Sequence, residues 1–154
     1  MENTTLCYVE KNGAYLMLHR TKKENDVNKD KYIGIGGHIE PGETSLECVI
    51  REAKEEAGLT LINPLYRGYV LFELWGVDVG ADLYTCAEFT GELIECNEGE
   101  LKWIKKEDIN SLPLWEGDKI MFDLMESEQE PFRLVLTYNE QDELVSSKIS
   151  KSVT

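Results

Sequence analysis

Three glutamates, Glu52, Glu55 and Glu56, lie within five residues in the stretch "REAKEEAGL". On a helix of 3.6 residues per turn their side chains project within an arc of roughly 100°. Like charges at such spacings repel by a few tenths of a kcal/mol per pair, and the cluster raises its own pKa values unless a cation sits in it. Oxygen-only ligands with no Cys or His pair nearby select a hard ion, Mg²⁺, Mn²⁺ or Ca²⁺, over zinc. Mg²⁺ is favoured, with Mn²⁺ as a substitute, because it binds through few carboxylates, keeps waters and accepts phosphate oxygens. The bland alternative is a solvated acidic helix face, and the surrounding residues decide between the two.

The helix that would carry these glutamates is marked at both ends. Thr44 with Glu47 makes a capping box, Gly58 supplies a left-handed stop, and about 13 helical residues lie between. Leu46, Val49, Ile50, Ala53 and Ala57 form an apolar stripe beside the acidic arc. Upstream, residues 4–10 and 14–19 alternate around Asn12-Gly13, a tight-turn pair, and predict a hairpin. A polar loop over residues 20–31 holds most of the local basic charge, and "YIGIGGHIE" resumes extended structure. Downstream, "LINPLYRGYVLFELWG" and "ADLYTCAEFTGELI" predict a second antiparallel pair turning at "GVDVGA". "KKEDINSLP" predicts a helical turn, "LWEGDKIMFDLMESE" a second helix and "FRLVLTYNEQDELVSSKI" a closing hairpin. Interspersed strands and helices point to an α/β (α+β) fold with a mixed sheet flanked by helices.

Gly37, five residues, Glu43, seven residues and then "REAKEEAGL" match G-x5-E-x7-R-E-U-x-E-E-x-G-U, where U is a bulky aliphatic. That is the Nudix box, and the chain resembles the Nudix hydrolases. Ala53 departs mildly, standing where a larger aliphatic is usual. The resemblance extends to the order of elements and implies an α/β/α sandwich around a mixed, largely antiparallel sheet. It also implies that Glu52, Glu55 and Glu56 hold Mg²⁺ with the Gly36 carbonyl, and that Glu43 and Arg51 orient those carboxylates. Gly36 and Gly37 would let backbone approach the phosphates. A further acid is expected from a later loop, Glu98, five residues before Trp103, with Glu100 as its rival. Glu52, Glu56 and Glu98 are the candidates for the general base. The implied reaction is in-line attack of water at phosphorus with Mg²⁺ neutralising the polyphosphate.

Two further stretches, residues 19–43 and "LPLWEGDKIMF", resemble the MutT-type branch that cleaves oxidised purine nucleoside triphosphates such as 8-oxo-dGTP. In that likeness Trp115 stacks on the purine, Asp118 hydrogen-bonds its edge and Lys23 lies near the phosphates. The alternatives are a core role for Trp115 at a helix start and a dipole-complementing role for Asp118. Ile33 stands where the human member of this branch has an asparagine that reads the base, so base preference stays open. The alternative substrates are dinucleoside polyphosphates, ADP-ribose or NADH, and the alternative from another class is a nucleotide-sensing module without turnover.

The chain has 154 residues, one domain's worth, with residues 147–154 read as a loose tail. Its 30 acidic residues against 16 basic ones give net charge −14, which argues against nucleic-acid polymers and anionic membranes as partners. The four cysteines make no Cys-x-x-Cys pair and read as buried free thiols. No signal segment and no run of 18 apolar residues occurs, so a cytoplasmic location is expected. No heptad seam or apolar surface stripe speaks for an oligomer.

Overall fold

A computed structural model describes residues 1–151 of the chain. Strands β1 (Glu2–Lys11) and β2 (Ala14–Arg20) form the expected hairpin. Asn12 and Gly13 both take positive φ, 51° and 75°, as a two-residue turn of this hand requires. β2 then pairs along its whole length with β8 (Gly99–Lys105) and at its end with the short β3 (Tyr32–Ile33). β1 turns its other edge to β6 (Val77–Cys86), in parallel. β6 pairs antiparallel with β5 (Leu65–Leu74), β5 parallel with β9 (Phe132–Tyr138), and β9 antiparallel with β10 (Leu144–Lys151). The result is an eight-stranded mixed sheet, with a separate ribbon of β4 (Thr60–Ile62) and β7 (Glu88–Thr90).

Strand alternation sends neighbouring side chains to opposite faces, and each face meets one helix. Cys7, Val9 and Leu16 pack with Val49, Ala53 and Ala57 of α1 (Ser45–Ala57). Tyr8, Tyr15 and Met17 pack on the other side with Met121, Phe122 and Met125 of α2 (Glu116–Ser127). This is the three-layer arrangement expected, with a mixed, largely antiparallel sheet at its centre. Ala53 is fully buried, so a small residue there sets how closely α1 approaches the sheet.

Four details differ from the sequence expectations. Leu46, expected in the apolar stripe of α1, is 46% exposed, and Cys48 takes the buried position instead. The β5–β6 turn lies at Trp75 and Gly76, where Gly76 has φ 92°, because "VDVGA" continues the strand. The extended run after α1 is broken by Asn63 at φ 51°, which separates β4 from β5. Residues 147–151 are not loose: they pair with residues 132–136 of β9, and residues 152–154 of that expected tail lie outside the described ones. All four cysteines are buried and free. Among the described residues no helix is long and apolar enough to cross a membrane.

Candidate active site

Helix α1 begins with the expected capping box, Glu47 N donating to Thr44 Oγ1 at 3.1 Å and Thr44 N to Glu47 Oε1 at 2.9 Å. It ends at Gly58, φ 77°. Its Glu52 faces the glycine-rich segment, which lies antiparallel along β1. Ile35 and Gly37 carbonyls accept from the Cys7 and Thr5 amides at 2.6 and 2.9 Å. The Gly36 carbonyl between them accepts no hydrogen bond among the described residues. A Cβ at Gly36 would meet the Thr5 carbonyl, so glycine here answers a close approach of two backbones inside the protein. At Gly37 the space belongs to the Glu52 carboxylate.

Arg51 is the hub of the acidic cluster. Its Nε and Nη2 hold both oxygens of Glu43, at 2.6 and 2.9 Å, while Nη1 reaches Glu52 at 2.9 Å and Glu55 at 3.2 Å. Nη2 also donates to the His38 carbonyl at 3.2 Å, which ties α1 to the glycine-rich segment. The Arg51 hydrogen bonds, with one from the Glu40 amide, pull the Glu43 carboxyl down to about 2. Glu43 therefore stays a carboxylate and keeps its grip on Arg51.

Glu56 behaves oppositely. Burial, its hydrogen bond with Glu52 and the nearby charge of Glu98 all raise its pKa, against the pull of Arg20. The structure therefore groups Glu52, Glu56 and Glu98 and draws the exposed Glu55 toward Arg51. Among the described residues no three Asp, Glu, His or Cys side chains form a preformed metal cage. The oxygen-only donors and the free Gly36 carbonyl nevertheless fit a hard divalent ion.

Glu98 is held by two cations, Lys23 Nζ at 3.2 Å and Arg20 Nη1 at 3.1 Å. Glu100, its rival, is exposed and paired with Lys102 at 3.6 Å. The purine-reading candidates stand at the start of α2. Trp115 caps that helix and is only 6% exposed, so it also belongs to the core. Its Nε1 donates to Asn28 at 2.7 Å, Tyr138 meets it edge-on, and the Lys31 ammonium lies 4.7 Å over its ring. Asp118 is 4% exposed and its carboxyl makes no hydrogen bond among the described residues. Burial pushes it up to about 7, against the opposing charge of Lys31.

Arg20, Asp26, Asn28 and Lys31 were not singled out in the sequence, where residues 20–31 read as a basic loop. The signal was Asp26-x-Asn28, an Asx turn in which Asp26 Oδ1 accepts from the Asn28 amide at 3.0 Å.

The model of the NUDIX domain matches residues 3–125, which include the glycine-rich segment, the acidic helix, Glu98 and Trp115. The chain belongs to the Nudix family. It is a pyrophosphohydrolase acting on nucleotide substrates, and its relatives include other Nudix hydrolases. One is an uncharacterised Nudix hydrolase of Bacillus subtilis, 28% identical over 97% of this chain and 94% of the relative. Another is the oxidised purine nucleoside triphosphate hydrolase of Danio rerio, 30% identical over 79% of this chain and 77% of its own. Among solved structures, a MutT protein from Bacillus halodurans superposes with a TM-score of 0.86 at 26% identity, covering 97% of each chain. Nudix hydrolases generally use divalent metals such as Mg²⁺.

Proposed function

We propose that this Nudix hydrolase cleaves an oxidised purine nucleoside triphosphate, with 8-oxo-dGTP as the leading candidate, to monophosphate and pyrophosphate in the presence of Mg²⁺. The observation that carries the reading is the Asp118 carboxyl, on a residue only 4% exposed, facing the charge of Lys31 and three residues after Trp115. A carboxyl so little exposed gains from a ligand that brings N–H donors to it as water is displaced. The N–H edge of an oxidised guanine offers such donors, and Lys31 beside Asp118 adds a donor for a ring carbonyl in a chain where Ile33 can give none. The printed activity of the Danio rerio relative supports the same substrate class.

In this reading Trp115 packs against the purine. Lys23, exposed beside Glu98, faces the phosphates. Glu52, Glu55, Glu56, Glu98 and the Gly36 carbonyl are the groups that hold the divalent cation. When bound, that cation supplies neutralisation of the polyphosphate and a more acidic attacking water. Glu52, Glu56 or Glu98 accepts the water's proton, and Arg51, fixed by Glu43, keeps Glu52 and Glu55 in register on the helix. The reaction needs positioning more than covalent chemistry, which suits a site built on one helix and two strand ends.

The test is a product assay with Mg²⁺ across 8-oxo-dGTP, dGTP, ATP, ADP-ribose and diadenosine tetraphosphate. The reading expects 8-oxo-dGTP to give the highest kcat/KM, with pyrophosphate as product. Preferential release of AMP from ADP-ribose or the dinucleotide would replace it with a different Nudix substrate.

A further inference from the structure

Arg20 ends β2 directly opposite Gly99 of β8, so strand register alone brings residue 98 beside it. Its guanidinium spans two carboxylates, Nε on Asp26 at 2.7 Å and Nη1 on Glu98 at 3.1 Å. Asp26 is buried, at 7% side-chain exposure, and its other oxygen holds the Asn28 amide at 3.0 Å. Asn28 in turn accepts from Trp115 at 2.7 Å. The main chain repeats the link, because Arg20 N donates to the Lys31 carbonyl at 2.9 Å and Asp30 N to the Arg20 carbonyl at 2.6 Å. One hydrogen-bonded path thus runs from the loop acid to the tryptophan.

We propose that Arg20 is a positioning residue that fixes Glu98 against the acidic helix and couples it to the segment holding Trp115. The proposal rests on the hydrolase reading above. Backbone contacts anchor the segment around Glu98, with Lys22 N donating to the Glu98 carbonyl at 3.3 Å and Lys22 Nζ to the Cys96 carbonyl at 2.8 Å, but the Glu98 carboxylate itself is held only by Arg20 and Lys23 among the described residues. Lys23, its other cation, is 57% exposed and faces outward, whereas Arg20 is 15% exposed. When a polyphosphate draws Lys23 to itself, Arg20 still holds Glu98. A planar fork fixes the angle between its two carboxylates; a lysine ammonium in its place supplies the charge without that geometry.

Kinetics of wild type, Arg20→Lys, Glu98→Gln and the double variant test this, using whichever nucleotide of the panel turns over fastest. Arg20→Lys keeps a cation beside Asp26 and so protects the fold, which thermal unfolding verifies. It is expected to lower kcat roughly 10–100-fold. In the Glu98→Gln background the same change is expected to cost less than about twofold, since two residues that act through one contact are not additive. Asp26→Asn, which cuts the other arm, is expected to raise KM more than it lowers kcat. A full loss from Arg20→Lys in the Glu98→Gln background, or wild-type kcat in Arg20→Lys alone, overturns the proposal. Wild-type kcat in Glu98→Gln also overturns it while leaving the hydrolase reading intact; absence of turnover by the wild type would remove that reading first.

Discussion

The Glu52 carboxylate rests on the bare α-carbon of Gly37: a methyl group built there would lie 2.5 Å from Glu52 Oε1. At Gly36 the same methyl would run into the Thr5 carbonyl, a backbone atom that cannot swing aside. The two adjacent glycines therefore predict different phenotypes. Gly37→Ala is expected to keep a near-wild-type Tm but lose about 10–100-fold in kcat, as Glu52 is displaced. Gly36→Ala is expected to lose about 1–3 kcal/mol of stability as well as activity, because the strain is taken by the main chain that carries the Gly36 carbonyl. Thermal unfolding beside initial rates separates them.

Glu43 and Arg51 share a two-pronged contact in which geometry matters as much as charge. Arg51→Lys keeps the charge and loses the fork, so kcat/KM is expected to fall about 10–100-fold, with a matching rise in the Mg²⁺ concentration needed for half-maximal rate. A variant with wild-type Mg²⁺ dependence would show that this pair does not orient the carboxylates.

Asp118 has an ordinary pKa of 3.8 and about 7 in the folded chain, raised by burial. Below pH 3.8 both states hold the proton. As pH rises from about 4 to 7, the unfolded chain releases it first, so Asp118 lowers stability through that window and by a constant amount above it. Asp118→Asn carries no charge to bury. Its stability advantage over wild type, followed through Tm, is expected to widen from pH 4 to 7 and then level off, reaching on the order of a few kcal/mol. A pH-independent Tm difference would contradict a buried titrating carboxyl.

The helix cap offers a smaller effect. Thr44→Ala removes the bond to the Glu47 amide and is expected to cost about 1 kcal/mol, read as a Tm lower by about 2–4 °C.

What was legible in the sequence was local or periodic. Thr44, Glu47 and Gly58 define their helix by chemistry within a few residues, and the hairpin turn at Asn12-Gly13 is equally self-contained. Glu43 and Arg51 were legible because their spacing is fixed by one helix and its lead-in. Contacts across the sheet were not. Arg20 meets Glu98 only because β2 pairs with β8, and Asn28 meets Trp115 across 87 residues. The closing hairpin was legible as far as Ile149, but residues 147–151 also read as a loose tail because they are mostly polar and exposed; pairing with β9, not their own pattern, makes them a strand.

The central claim is that the clustered carboxylates and a divalent cation together perform the hydrolysis. Initial rates of nucleotide cleavage by wild type and Glu56→Gln, each with Mg²⁺ and with excess EDTA, test it most directly. Turnover confined to wild type with Mg²⁺, and lower by at least about 100-fold in Glu56→Gln, is the predicted result. Equal rates for the two proteins, or undiminished turnover in EDTA, would contradict it.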